Sequence, residues 1–158
     1  MILDKLRRKK KPKPPKLSRT EFLSLKPIRN PILTWQKDEK GEIEITVPLK
    51  KIREEAKKRK VARSRTSRFF SRFFQEPEEK KIRLDEVGSM VWELCDGQTT
   101  TKEIIDHLCE KYKLLPREVE ISLGTYLNSL VKRGLIAFIV PEDLRERLAK
   151  QSEEKQKS

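Results

Sequence analysis

Histidine occurs once in this 158-residue chain, at position 107, and cysteine only twice, at 95 and 109. A structural zinc takes about four ligands at spacings such as CxxC. Cys95, His107 and Cys109 supply neither the number nor the spacing, so the expectation is no metal site. Enzymatic chemistry is equally short of parts. There is no nucleophile–base pair at a motif spacing, and five glycines do not make a phosphate loop. The chain reads as a protein that is not an enzyme and needs no cofactor. No apolar run approaches the ~20 residues of a membrane span, and the N-terminus lacks the apolar core of a signal peptide. The expectation is a cytoplasmic protein with no disulfide.

What the chain has in excess is positive charge. Charged residues make up 40% of it and the net charge is +13. The charge is unevenly spread. Residues 1–16 carry eight Lys/Arg against Asp4, and residues 50–72 carry eleven against Glu54 and Glu55. Residues 80–140 carry nine of each sign, so that segment is neutral. Basic character belongs to extensions of the compact part, which bears on any reading that involves nucleic acid.

Organisation follows from composition and period. Residues 1–20 are rich in Lys and Pro and too poor in large apolar groups to offset the entropy of ordering, so they are expected to be disordered. Residues 21–140 are expected to form one domain. "FLSLKPIRNP" leads into it, with Pro27 and Pro31 blocking a helix. "ILTWQKDEKGEIEITVP" reads as a hairpin, with Ile32–Lys37 and Glu42–Val47 as strands. Ile43, Ile45 and Val47 alternate with polar residues, the period of a half-buried strand. A basic and then aromatic insertion follows over residues 49–79. Phe69, Phe70, Phe73 and Phe74, flanked by Arg68 and Arg72, would make a narrow ridge on a helix. That ridge either packs on the domain or meets an anionic surface. Residues 141–158 read as a polar helix and tail.

The compact part is three amphipathic helices behind a short strand, "KKIRL" (80–84). Val87, Met90, Val91 and Leu94 fall at i, i+3, i+4 and i+7, one buried face, with Asp85 placed to cap it. "CDG" (95–97) ends that helix, and Thr100 with Glu103 forms a capping box for the next. The second stripe is Ile104, Ile105, Leu108, Cys109 and Tyr112, which leaves His107 on the surface. Pro116 opens a third helix that buries Val119, Leu123, Tyr126, Leu127 and Leu130 and stops at Gly134. "LIAFIV" (135–140) is a last strand or wing. The order of hairpin, strand, three helices and strand describes an α+β, winged-helix-like domain. It combines an antiparallel three-stranded sheet with a three-helix bundle. Cys95 and Cys109 sit on buried stripes and read as small inert hydrophobes.

Taken in order, Leu84 at the strand–helix junction, Trp92, Asp96-Gly97, the threonines at 99–101, Leu127, Leu130 and "RGLI" (133–136) resemble the PqqD family. That family comprises peptide-recognition domains of pathways that modify ribosomally made peptides, the pathway to coenzyme PQQ among them. The likeness runs from Lys80 to Ile136 and more weakly over the hairpin. It departs in the long insertion before the third strand, and in Ser122, where the family often has Asp. The resemblance implies a non-catalytic protein that presents the leader segment of a precursor peptide to a modifying enzyme, often a radical S-adenosylmethionine enzyme. It implies strand addition beside Lys80, Lys81, Ile82, Arg83 and Leu84, against the third helix. Physics supports such a use. A strand edge offers unpaired N–H and C=O groups, and three cations on it would favour an acidic leader. On the third helix Gly124, flanked by Glu120, Leu127 and Val131, would leave a gap for the peptide or mark tight packing.

Two other readings stand beside this one. A winged-helix nucleic-acid binder fits the helix order, but "ISLGTYLNSLV" carries no Arg or Lys for phosphates or base edges. Contact with nucleic acid or an anionic membrane would then fall to the basic segments alone. A structural adaptor docking through its basic and aromatic segment is the third reading.

Overall fold

The computed structural model describes residues 16–59 and 77–157. The phenylalanine ridge at 69–74 and residues 1–15 of the basic tail lie outside them. Within the described residues the architecture is α+β, and the expected winged-helix-like plan holds.

The hairpin forms as its alternation requires. Strand β2 (Thr34–Lys37) pairs antiparallel with β3 (Ile43–Val47), placing Thr34 opposite Thr46 and Lys37 opposite Ile43. Asp38 makes the turn, its carboxylate accepting the N–H groups of Lys40 and Glu42, each at 2.9 Å. Gly41 takes a φ of +83°, which few other residues tolerate. Strand β4 (Lys80–Arg83) joins the other side of β3, so the sheet order is β2-β3-β4 and β4 is an edge. Between β3 and β4 the basic part of the insertion begins as a helix, α2 (Leu49–Arg59).

Three helices cover one face of this sheet: α3 (Glu86–Leu94), α4 (Thr101–Tyr112) and α5 (Pro116–Lys132). Their stripes meet β3 in one core. Ile43, Ile45, Trp92, Ile104 and Leu127 are fully buried in it, each contributing about 1.5–3 kcal/mol by leaving water. Asp85 caps α3 by accepting from Gly88 N at 2.7 Å, and the Thr100–Glu103 capping box opens α4. Pro116 stands in the first turn of α5.

One stripe needs correcting. Val87 is 42% exposed, and α3 buries Gly88, Ser89, Val91 and Trp92 instead. The helix is turned because Ser89, not an apolar side chain, meets the sheet. Its hydroxyl accepts Ile43 N at 2.8 Å and thereby satisfies a backbone group of a central strand.

The segment before the hairpin is more ordered than expected. Ser18 caps a short helix, α1 (Arg19–Ser24), which begins inside the stretch 1–20 expected to be disordered. Strand β1 (Lys26–Arg29) follows and pairs antiparallel with β5 (Ile136–Ile139), the expected last strand. Pro27 therefore lies within a strand rather than in a lead-in. Beyond β1, Arg29 N donates to Cys95 O at 3.1 Å, and Gly97 N donates to Pro27 O at 2.9 Å. The "CDG" joint thus docks β1 as well as separating α3 from α4. Arg29 also donates to the Trp92 and Glu93 carbonyls, at 2.8 and 2.9 Å, at the end of α3 where a cation is favoured. A polar helix, α6 (Glu142–Lys157), follows β5. It buries Leu144, and its Arg147 pairs with Glu21 of α1. Among the described residues no helix is long and apolar enough to cross a membrane.

Candidate functional site

The edge of β4 has a definite hydrogen-bonding parity. Leu84 N donates to Ile43 O at 2.8 Å, and the register continues with Ile82 opposite Ile45 and Lys80 opposite Val47. Hydrogen-bonded pairs alternate in an antiparallel ladder. The even residues therefore turn their backbone groups to β3, and Lys81 and Arg83 turn theirs to the open side. Among the described residues nothing pairs with that side.

The β4 cations are less available than their sequence suggests. Lys81 Nζ lies 3.0 Å from Glu44 Oε1. Arg83 reaches Asp38 at 2.9 Å and Glu42 at 3.2 Å, and its hydrogen bond to Asp38 holds that carboxyl below its usual range. These acids sit on the hairpin of the same sheet. The solvent face of β4 is thus largely neutralised, and only Lys80 has no ion-pair partner among the described residues. Ile82 is half-buried, and Leu84 belongs to the core.

The third helix presents two flanks. Gly124 does mark a close approach, but the group that approaches is Phe22 of α1. A Cβ at Gly124 would lie 3.5 Å from the Phe22 ring. Beside it, Arg19 grips Glu120 through three N–H···O contacts of 2.8–3.0 Å, chiefly by which the Glu120 carboxyl is lowered. Leu127 is fully buried, and Val131 remains 36% exposed. The expected gap on this flank is therefore filled from within the chain.

On the other flank of α5 a groove of about 530 Å³ opens between α3, α4 and α5. Val87 and Val91 of α3, Tyr112 and Leu114 at the end of α4, and Val119, Ser122, Leu123 and Tyr126 of α5 line it, with Glu118 at its polar side. Six of these, Val87, Val91, Tyr112, Val119, Leu123 and Tyr126, were read as members of buried stripes. Ser122 stands here, at the position where the resemblance marked a departure. Leu114, Leu115 and Ile121 add exposed apolar surface around it, at 49, 65 and 62%. The sequence signal was the doublet Leu114-Leu115 before Pro116, two leucines on a connector where polar residues are usual.

Gly88 shapes this groove. A Cβ there would stand 2.8 Å from the Tyr126 hydroxyl and 2.9 Å from Asp85 Oδ1, so only glycine lets Tyr126 lie against the first turn of α3. The hydroxyl is buried and has no hydrogen-bond partner among the described residues, and burial pushes its pKa up to about 12. An unpaired buried donor is a cost to the free protein. Asp85, which lies against Gly88, follows Leu84 directly, so the chain passes from β4 to the groove wall at Val87 within three residues.

Other chemistry is sparse. Among the described residues no cluster of His, Cys, Asp and Glu could hold a metal ion. Cys95 is fully buried, and desolvation pushes its thiol up to about 12, so it is an inert core group. Cys109 is half-buried, and His107 is exposed as expected.

Residues 75–136 match the family model described as coenzyme PQQ synthesis protein D (PqqD). The matched segment takes in β4, α3, α4, α5 and the first residue of β5, so both the open edge and the groove lie inside it. No curated protein and no solved structure matches the chain.

Proposed function

We propose, from the match of residues 75–136 to the PqqD family model, that this protein holds a precursor peptide on the β4 edge and in the groove beside α5. The family consists of accessory, non-catalytic proteins that bind a precursor peptide in the biosynthesis of PQQ and of other ribosomal peptides. In this chain the ligand is the leader segment of such a precursor, presented in the cytoplasm to a modifying enzyme of the radical S-adenosylmethionine class. The observation that carries the reading is the succession of two features along the chain. Among the described residues the backbone groups of Lys81 and Arg83 are unpaired on the open edge, and three residues after Leu84 the chain enters, at Val87, an apolar groove that Ser122 and Tyr126 also wall.

The division of labour follows from the chemistry. Backbone groups of β4 would extend the ladder and fix the peptide's direction, and the groove would take one or two apolar side chains and fix its identity. Because Lys81 and Arg83 are already paired to acids, attraction for an acidic leader is a secondary effect here. The experiment is a titration of the full chain with overlapping peptides from precursors encoded near the gene. Peptides with apolar residues at alternate positions should bind, and a Val87→Asp variant should lose them. Equal binding by Val87→Asp would remove the groove from the account.

A further inference from the structure

The edge of strand β5 differs in chemistry from that of β4. Strand β5 pairs with β1 on one side only. Asn30 N donates to Leu135 O at 2.9 Å, and Ile28 stands opposite Ala137. By the same alternation, Ile136 and Phe138 turn their backbone groups away from β1. Among the described residues nothing pairs with them. The stretch 135–140 holds no charged residue, whereas β4 carries Lys80, Lys81 and Arg83. Edges without charge are the ones that add further strands. The exposed face of the ribbon is apolar as well: Ile28 is 37% and Ile139 41% exposed, with Ala137 between them.

We propose that a second copy of this chain pairs with β5, giving a continuous antiparallel sheet β1-β5-β5-β1 about a twofold axis. The occupant is argued from self-complementarity. An antiparallel strand pairs with itself about a dyad without changing direction. With Ile136 and Phe138 as the outward groups, the hydrogen-bonded pairs are Ile136 with Phe138 of the second copy, and the reverse. Ala137 then faces its own equivalent at the dyad, in a non-hydrogen-bonded pair where Cα atoms approach to about 4.5 Å. A small side chain suits that position. The same pairing through β4 would bring together Lys81, Arg83 and the acids paired with them, charged groups that β5 does not carry, so the uncharged edge favours self-association at β5 and leaves β4 for a ligand. Since the whole chain carries +13, two copies repel at long range, and salt should strengthen the dimer.

The test is sedimentation of the full chain across its soluble concentration range and at low and high salt. A monomer–dimer equilibrium that shifts toward dimer as salt is added is expected. Ala137→Arg, an exposed position, should raise the dissociation constant more than about tenfold by opposing two like charges at the dyad. Ala137→Cys should cross-link into a disulfide dimer on mild oxidation, since that Cα separation suits the bond. Wild-type protein with its own two cysteines should not. A monomer at every concentration and salt would overturn the proposal, and so would a dimer that Ala137→Arg leaves intact. Peptide titration of Ala137→Arg should match wild type, which keeps this outcome separate from that of the β4 reading.

Discussion

Two neighbouring proline substitutions on β4 should have opposite consequences. Ile82→Pro removes an N–H that pairs with Ile45, a fully buried residue of the central strand. The Ile45 carbonyl would lose its donor, which costs about 1–3 kcal/mol, and the ring would crowd β3. At a urea slope of about 2 kcal/mol per molar, the midpoint should fall by roughly 1 M. Lys81→Pro removes an N–H that points to the open side and breaks no bond within the sheet. It also removes the Lys81–Glu44 pair, which is 63% exposed at the lysine and worth little. Its midpoint should stay close to wild type. A peptide added as a strand, however, would lose a ladder donor there and keep an unpaired carbonyl. That loss of about 1–3 kcal/mol weakens binding roughly 5- to 150-fold. Urea denaturation and calorimetric titration of the two variants with one peptide give both readings. If Lys81→Pro binds as wild type does, the peptide is not on this edge. If Lys81→Pro unfolds and Ile82→Pro does not, the register derived for β4 is wrong.

The remaining predictions concern the groove, the core and pH. Gly88→Ala should destabilise by about 1–3 kcal/mol, because its Cβ meets Tyr126 and Asp85, although alanine is the better helix former by ~1 kcal/mol; a more stable variant in thermal unfolding would contradict this. Tyr126→Phe deletes a buried hydroxyl that has no partner among the described residues and should leave the free protein as stable or up to about 1 kcal/mol more so, by the same measurement. Cys95 should resist thiol labelling in the native state, since its pKa of about 12 leaves almost no thiolate at neutral pH, and rapid modification would refute its burial. The Asp96 carboxyl is lowered by hydrogen bonds from Thr99 N and Gln98 N, and that of Glu103 by Thr100. A depressed carboxyl contributes stability that is full above the ordinary carboxylate range and is lost as pH falls through the folded value. Thermal midpoints should therefore hold steady down to about pH 5 and decline below about pH 4, and a rise toward acid would contradict the sign.

What the sequence disclosed, and what it did not, divides by the range of the interaction. The stripes of α4 and α5, the Thr100–Glu103 box and Pro116 depend on neighbours within a turn or two, and all were readable. Val87 was misplaced because Ser89 bonds Ile43, 46 residues away, and turns the helix. Strand β1 was missed because Pro27 argues against a strand from local chemistry alone. The strand is held by Ile136–Ile139 on one side and by Cys95 and Gly97 on the other, all distant in the chain. The edge of β4 was found, but its parity was not, since parity depends on the partner strand. The Gly124 flank was chosen because a helical glycine implies a close approach. Which group approaches is a matter of tertiary packing, and Phe22 lies 102 positions earlier. The lysine and arginine of β4 were read as free for a ligand for the same reason, because their acids lie across the sheet.

The central claim is that a peptide occupies the β4 edge and the groove beside α5. It is tested most directly by following backbone amide shifts of isotope-labelled full-length protein as a candidate leader peptide is added. The account predicts saturable shifts at Lys81 and Arg83, and at Val87, Ser122 and Tyr126 around the groove, with Phe22 and Gly124 little changed. Shifts confined to the basic stretches 1–16 and 50–72, with β4 and α5 silent, would contradict it and favour an electrostatic contact with an anionic partner.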